Sequence, residues 1–152
     1  MFRISSLPLG SLFSCALATA LLVPAASVSA KDLRLLYTFQ NAKDGDVPHA
    51  GLVRDNAGNF YGATYYGGAY ANGNGTVFKL APDGTKTLLH SFSGGADGEM
   101  PSAPLLVDKA GNLYGTTQEG GQVGGCNGFG CGVVFAMARW HGDGTLHVYG
   151  WQ

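Results

Sequence analysis

Residues 57–68 read AGNFYGATYYGG, and residues 110–121 read AGNLYGTTQEGG. Eight of the twelve positions are identical, and the two phrases lie 53 residues apart. The similarity extends back without a gap to LLYTFQ (35–40) in the first copy and to LLHSFS (88–93) in the second. Self-similarity at a fixed period indicates a chain built from one repeated supersecondary unit, as in solenoids and propellers.

Each copy is predicted to form four short strands, because short runs rich in strand-forming residues are separated by glycine-containing turns. In the first copy the predicted strands are GLVRD (51–55), NFYGATY (59–65), GTVFKLA (75–81) and KTLLHSF (86–92). No run of ten or more residues outside the N-terminal segment has helical periodicity. Four antiparallel strands in each repeated unit is the arrangement of a β-propeller blade.

We therefore expect an all-β fold of two tandem four-stranded antiparallel repeats, similar to blades of an incomplete β-propeller. The expected boundaries are residues 1–30 for a signal peptide, 31–87 for repeat 1, 88–145 for repeat 2 and 146–152 for the start of a truncated third repeat.

The N-terminal segment has the composition of a Sec-type signal peptide. Arg3 supplies a positive charge, and the apolar run Leu12–Val23 is followed by Pro24 and by the small residues of Val28-Ser29-Ala30. A transmembrane anchor fits less well, because the apolar run is short. We expect a secreted or cell-surface protein whose mature chain has no stable membrane insertion.

The charge balance argues against two classes of partner. The formal net charge is −1, and charged residues make up only 12% of the chain, which instead contains 25 glycines. A nucleic-acid-binding surface is usually basic, and docking on anionic membranes needs clustered lysine and arginine. We therefore expect no nucleic-acid partner.

Two cysteines, Cys126 and Cys131, remain once the N-terminal segment with Cys15 is removed. An even number of cysteines in an exported chain predicts a disulfide. The alternative is half of a zinc site. It is less favoured because the sequence has no second cysteine pair and no histidine between the two cysteines.

The phrases LHSFSGGADGEMPSAPLLVDKAGNLYGTT (89–117) and GTVFKL (75–80) resemble the GloVer repeat, the Gloeobacter/Verrucomicrobia type, and the resemblance covers about residues 33–135. It implies an exported bacterial protein with tandem β-propeller-like repeats at the cell surface and no established catalytic activity. The chain has two full units, whereas a closed propeller has about four to eight blades. Three explanations stay open: a fragment of a longer repeat protein, a truncated gene, or a chain that assembles with further repeats or copies of itself.

Acidic pairs recur at matched positions, Asp44 with Asp46 in the first copy and Asp97 with Glu99 in the second. Carboxylates separated by one glycine can bind Ca²⁺, which takes six to eight oxygen ligands. Asp-Gly pairs are also common turn formers. Calcium binding by these four residues is one expectation, and a purely structural turn is the other.

Tyrosines cluster in the first copy without counterparts in the second. Tyr61 and Tyr114 occupy matched positions and are predicted to be core residues, whereas Tyr65, Tyr66 and Tyr70 are unmatched. Unmatched aromatic residues beside glycine and asparagine are candidates for stacking on sugar rings or packing on a partner. We predict that these three tyrosines contact a surface glycan or protein ligand.

No motif indicates catalysis or a cofactor. The glycine phrases lack the GxxxxGK[ST] pattern, there is no GxSxG nucleophile elbow, and the histidines lie at positions that the repeat does not match. We therefore assign no catalytic residue and no cofactor, and we expect a structural or binding role. The alternatives are a fragment of a propeller-type extracellular enzyme, a lyase or a hydrolase, and a glycan-binding module.

Overall fold

The structure is a computed structural model that describes residues 33–40, 42–122, 126–139 and 146–150. The signal peptide expected at residues 1–30 lies outside the described residues.

Two four-stranded antiparallel sheets follow one another along the chain, each with its strands in sequence order. The first sheet consists of β1 (Val53–Arg54), β2 (Phe60–Thr64), β3 (Thr76–Leu80) and β4 (Lys86–Ser91). The second consists of β5 (Leu106–Val107), β6 (Leu113–Thr116), β7 (Val134–Arg139) and β8 (Leu146–Gly150). The all-β expectation of two four-stranded repeats is confirmed. Residues 146–150, which the sequence analysis placed in a third repeat, pair with β7 in the second sheet.

Three single 3₁₀ turns lie in the connections: Ala42–Asp44, Gly95–Asp97 and Cys126–Gly128. The first two occupy matched positions in the two copies, before the first strand of each sheet. The third belongs to the cysteine loop, where Cys126 and Cys131 form the expected disulfide with their Cα atoms 5.2 Å apart.

The repeated phrase forms the turn between the first and second strands of each sheet. In the first copy the Asp55 carboxylate accepts hydrogen bonds from the Asn59 backbone N–H at 2.8 Å, the Asn59 side chain at 2.8 Å and the Tyr61 hydroxyl at 3.0 Å. Gly58 closes the turn at a φ of 89°, a left-handed conformation that glycine adopts without steric cost.

The second copy repeats the same set of bonds. The Asp108 carboxylate accepts hydrogen bonds from the Asn112 backbone at 2.9 Å, the Asn112 side chain at 2.7 Å and the Tyr114 hydroxyl at 3.2 Å, and Gly111 has a φ of 86°. The matched Asp, Gly, Asn and Tyr residues therefore form a hydrogen-bonded turn that fixes the hairpin, and this turn is called the hairpin staple below.

Because side chains alternate along a strand, each sheet has two faces. The face that we call the tyrosine face carries Val53, Tyr61 and Val77 in the first sheet and Leu106, Tyr114 and Val134 in the second. The other, which we call the leucine face, carries Leu52, Phe60 and Phe78 in the first sheet and Leu105, Leu113 and Phe135 in the second.

The hydrophobic core lies between the two sheets. It joins Tyr61 and Val77 from the tyrosine face of the first sheet to the whole leucine face of the second. Phe92, which follows β4, is fully buried in the same cluster, and its ring meets that of Phe135 edge-on at 5.3 Å. The two sheets thus pack with opposite faces together.

This packing gives matched residues different environments. Tyr61 is 5% exposed, as predicted for a core residue, but its counterpart Tyr114 is 39% exposed. The expectation that Tyr114 is also a core residue was wrong, because no described sheet covers the tyrosine face of the second copy.

Candidate functional site

The acidic residues expected to bind calcium lie at matched positions in the two copies. In each pair the carboxylate of the first residue, Asp44 or Asp97, is bound by other side chains and backbone groups of the protein. The Asp44 carboxylate accepts hydrogen bonds from the Tyr37 hydroxyl at 2.7 Å and the Gln40 backbone at 3.1 Å, and it forms an ion pair with Lys86. Burial raises the pKa of Asp44, but the bonds from Lys86 and Tyr37 outweigh it and hold that pKa below its ordinary value.

Asp97 occupies the matched position and has matched partners. Its carboxylate contacts His90 Nε2 at 3.1 Å and accepts hydrogen bonds from the Ser93 backbone at 2.8 Å and the Ser93 hydroxyl at 3.1 Å. His90 corresponds to Tyr37, so a hydrogen-bonding ring holds the aspartate in both copies.

The second residue of each acidic pair connects two loops through its backbone. Asp46 bridges to Tyr66, and Glu99 bridges to Glu119. Across the described ranges, no group of three or more His, Cys, Asp and Glu side chains is placed to hold a metal ion. Calcium binding by the four acidic residues stays a prediction.

The three unmatched tyrosines lie in the loop between β2 and β3, at the end of β2 opposite the hairpin staple. The rings of Tyr65 and Tyr66 meet edge-on, with centroids 4.6 Å apart, and the Tyr65 ring also contacts the His49 ring at 5.3 Å. Tyr66 is 43% exposed and Tyr70 is 51% exposed, whereas Tyr65 is half-buried. Tyr65, Tyr66 and His49 are called the aromatic patch below.

The aromatic patch continues into the second copy. The Tyr65 hydroxyl donates a hydrogen bond to Gln118 Oε1 at 3.1 Å, and Gln118 is the residue that corresponds to Tyr65 by the repeat. Burial and the neighbouring Tyr66 and Glu119 raise the pKa of Tyr65 above its ordinary value.

The backbone of Tyr65 is hydrogen-bonded to a residue in a strained conformation. Val47 adopts a φ of 54°, which is unusual for a β-branched residue, and its carbonyl accepts a hydrogen bond from the Tyr65 backbone N–H at 2.9 Å. Met100, the matched residue, has a φ of 59° and accepts from the Gln118 backbone at 3.1 Å. A residue with a positive φ and one backbone hydrogen bond thus position Tyr65 in one copy and Gln118 in the other.

Sequence reasoning identified the tyrosines but missed His49, Gln118 and Glu119. Gln118 and Glu119 could have been identified from the sequence, because the repeat aligns them with Tyr65 and Tyr66 of the first copy. His49 is paired with Ser102 by the repeat, and nothing in the sequence places it beside Tyr65.

A concave region lies at the other end of the sheets, where the two hairpin turns meet. This cleft has a volume of about 320 Å³ and is lined by residues 54–57 and 107–111. The side-chain bond from Asn112 holds the pKa of Asp108 below its ordinary value. Burial raises the pKa of Asp55, but the bonds from Asn59 outweigh it and lower that pKa too. Each carboxylate is therefore ionised at neutral pH and accepts hydrogen bonds from its own hairpin turn.

Within the described part of the chain, no helix is long and apolar enough to span a membrane.

The model of the Gloeobacter/Verrucomicrobia repeat family matches residues 23–149, which include all of both sheets except Gly150, the last residue of β8. A search of curated proteins gives no significant match.

Proposed function

The chain belongs to the Gloeobacter/Verrucomicrobia repeat family, and we propose that it is an exported, non-enzymatic binding module whose aromatic patch holds a glycan. The observation that carries the proposal is the Tyr65–Tyr66 ring pair, which the second copy does not repeat and which Gln118 holds across the repeats.

The ring pair suits the apolar side of a sugar. A tyrosine ring has a negative face, which attracts the weakly positive C–H groups on one side of a pyranose. Because Tyr66 is nearly half exposed and meets Tyr65 edge-on at 84°, the two rings present differently oriented surfaces to a ligand.

Polar groups beside the rings suit sugar hydroxyls. Gln118 and Glu119 lie on the neighbouring copy and supply amide and carboxylate groups, and His49 adds a ring nitrogen. An arrangement of aromatic surface with a few convergent polar groups is typical of small-molecule sites.

The patch is fixed before any ligand arrives. The backbone of Tyr65 bonds to Val47 and that of Tyr66 bonds to Asp46 at 3.0 Å, while the Tyr65 hydroxyl bonds to Gln118. Side chains that are already ordered lose less conformational entropy on binding, which favours affinity.

The non-enzymatic part of the proposal is supported by the acidic side chains of the cleft. Asp55 and Asp108 are the carboxylates that line the cleft, and each accepts hydrogen bonds from its own turn. Groups with lowered pKa values are poor proton donors near neutral pH, which disfavours their use as general acids. Export is supported by the N-terminal sequence pattern and by the disulfide, which is typical of oxidising compartments.

The test is a glycan array followed by titration of soluble oligosaccharide into the mature protein. We expect Tyr66→Ser to weaken the affinity at least tenfold, or about 1.4 kcal/mol, as for a central aromatic contact. Unchanged affinity in that variant, or no binding to any glycan on the array, contradicts the proposal.

The matched control is Tyr114→Ser. Tyr114 is exposed to a similar degree and lies on the tyrosine face of the second sheet rather than in the patch. We expect it to keep the wild-type affinity for the soluble oligosaccharide. Circular dichroism of both variants establishes that they are folded.

A further inference from the structure

The joint between the two sheets uses only one face of each. The tyrosine face of the first sheet packs on the leucine face of the second, and Val77 and Leu105 within that joint are 0% and 2% exposed. The remaining two faces have the same design and are only partly covered by described residues: on the first sheet Phe78 is 5% exposed beneath Phe39, whereas Leu52 is 52% exposed.

The open faces carry the counterparts of the buried residues. On the second sheet, Val134 is 65% exposed and corresponds to the buried Val77. On the first sheet, Leu52 is 52% exposed and corresponds to the buried Leu105. Each end of the two-sheet body therefore presents one half of a joint that the same chain already makes internally.

On the leucine face of the first sheet, Phe39 takes the place that Phe92, from the covering sheet, takes in the internal joint. Phe39 packs edge-on against Phe78 at 5.4 Å, as Phe92 packs against Phe135 at 5.3 Å in the internal joint. Tyr37 in turn bonds to Asp44 as His90 does to Asp97. Among the described residues, no tyrosine face of another sheet covers the rest of this face.

We propose that a second copy of this chain covers these faces, docking head to tail so that the tyrosine face of its second sheet packs on the leucine face of the first sheet here. Such an interface is heterologous, because each subunit uses two different surfaces, and repeating it gives a ring if the rotation closes. Closed propellers have about four to eight blades, so a ring of two-sheet chains contains about two to four copies.

The test is sedimentation equilibrium of the mature full-length protein over the widest range of concentration that it tolerates. We expect the mass to rise from one chain to at least two with concentration. A mass of one chain throughout overturns the proposal and leaves the open faces to another occupant.

Two variants test which faces meet. Val134→Asp and Leu52→Asp each place a charge on one open face at an exposed position, so both are expected to fold and to stay monomeric alone. Each keeps the other face intact, and a mixture is therefore expected to form a complex of one copy of each and to grow no further. A mixture that stays monomeric, or variants that assemble like the wild type, overturn the head-to-tail arrangement.

The matched control is Phe129→Asp. Phe129 is 65% exposed, the same fraction as Val134, but it lies in the cysteine loop, outside both faces. It is expected to assemble like the wild type. Assembly lost to the same degree in this variant as in Val134→Asp overturns the assignment of the tyrosine face.

Discussion

The glycine in the second strand of each sheet offers a matched pair of substitutions. A Cβ atom added to Gly115 would lie 2.8 Å from Leu105 Cδ2 and closer still to Phe135 Cζ. A Cβ atom added to Gly62 would lie 2.6 Å from Leu52 Cδ2 and 2.8 Å from Phe78 Cζ. Such distances are too short for carbon atoms, so the neighbouring side chains must move.

The freedom of those neighbours differs between the two copies. Leu105 and Phe135 are 2% and 1% exposed and have no space to enter, whereas Leu52 is half exposed and can swing into solvent. Phe78 is itself 5% exposed, but the Phe39 ring that covers it is only half-buried, so the two rings can shift together. Overpacking a core costs about 1–3 kcal/mol, and replacing glycine by alanine offsets about 0.4–1 kcal/mol through the unfolded chain. We expect Gly115→Ala to destabilise the fold by about 2 kcal/mol and Gly62→Ala by about 0.5 kcal/mol.

The assay is urea unfolding followed by circular dichroism, on protein dilute enough to sediment as a single chain so that Leu52 is not covered by another copy. The difference of about 1.5 kcal/mol between the two variants is measurable from the transition midpoints, provided the slopes agree. Equal losses in both variants would refute the argument that the leucine face of the first sheet is open. If Gly115→Ala did not lower the free energy of unfolding, the close packing of Gly115 against the Phe135 ring would be refuted.

Three further predictions concern the remaining interactions. The pKa of Asp108 is lowered in the folded state, so the ionised carboxylate stabilises the fold above pH 3.8, its ordinary pKa, and this stabilisation is lost as the pH falls further. Asp108→Asn should therefore flatten the acid limb of a stability–pH profile measured by thermal unfolding. Lys86→Met should cost about 3 kcal/mol in urea unfolding, since it removes the buried ammonium group that pairs with the Asp44 carboxylate, and an unchanged midpoint would contradict that. Reducing the Cys126–Cys131 disulfide should cost no more than about 2 kcal/mol, because the loop it closes is short, as thermal unfolding with and without reductant will test.

The strands and their order could be predicted from the sequence because their signals are local. Alternation around Tyr61, the turn glycine Gly58 and the repeat itself together predict a four-stranded unit. The disulfide followed from a count of cysteines. Each of these inferences depends on residues close together in the chain.

Burial could not be predicted where it depends on a neighbouring sheet. Tyr114 has the same local sequence as Tyr61, yet it is exposed because nothing described packs on its face. Lys86 shows the converse, since lysine is seldom buried but here its side chain is 3% exposed. It lies among the rings of Phe39 and Phe78 and reaches the Asp44 carboxylate.

The candidate site was predicted only in part, for a similar reason. Tyr65, Tyr66 and Tyr70 could be identified because the second copy does not repeat them. The contacts of Tyr65 with His49 and Gln118 join segments far apart in the chain, and only the packing of one copy against the other brings them together.

The two sheets interlock through opposite faces, so that Tyr61 and Val77 are buried while their counterparts Tyr114 and Val134 are exposed. Hydroxyl-radical footprinting of the native protein, diluted until it sediments as a single chain, tests this most directly. We predict rapid modification of Tyr114 and Val134 and protection of Tyr61 and Val77. Equal modification of the matched residues in the two copies would contradict the claim.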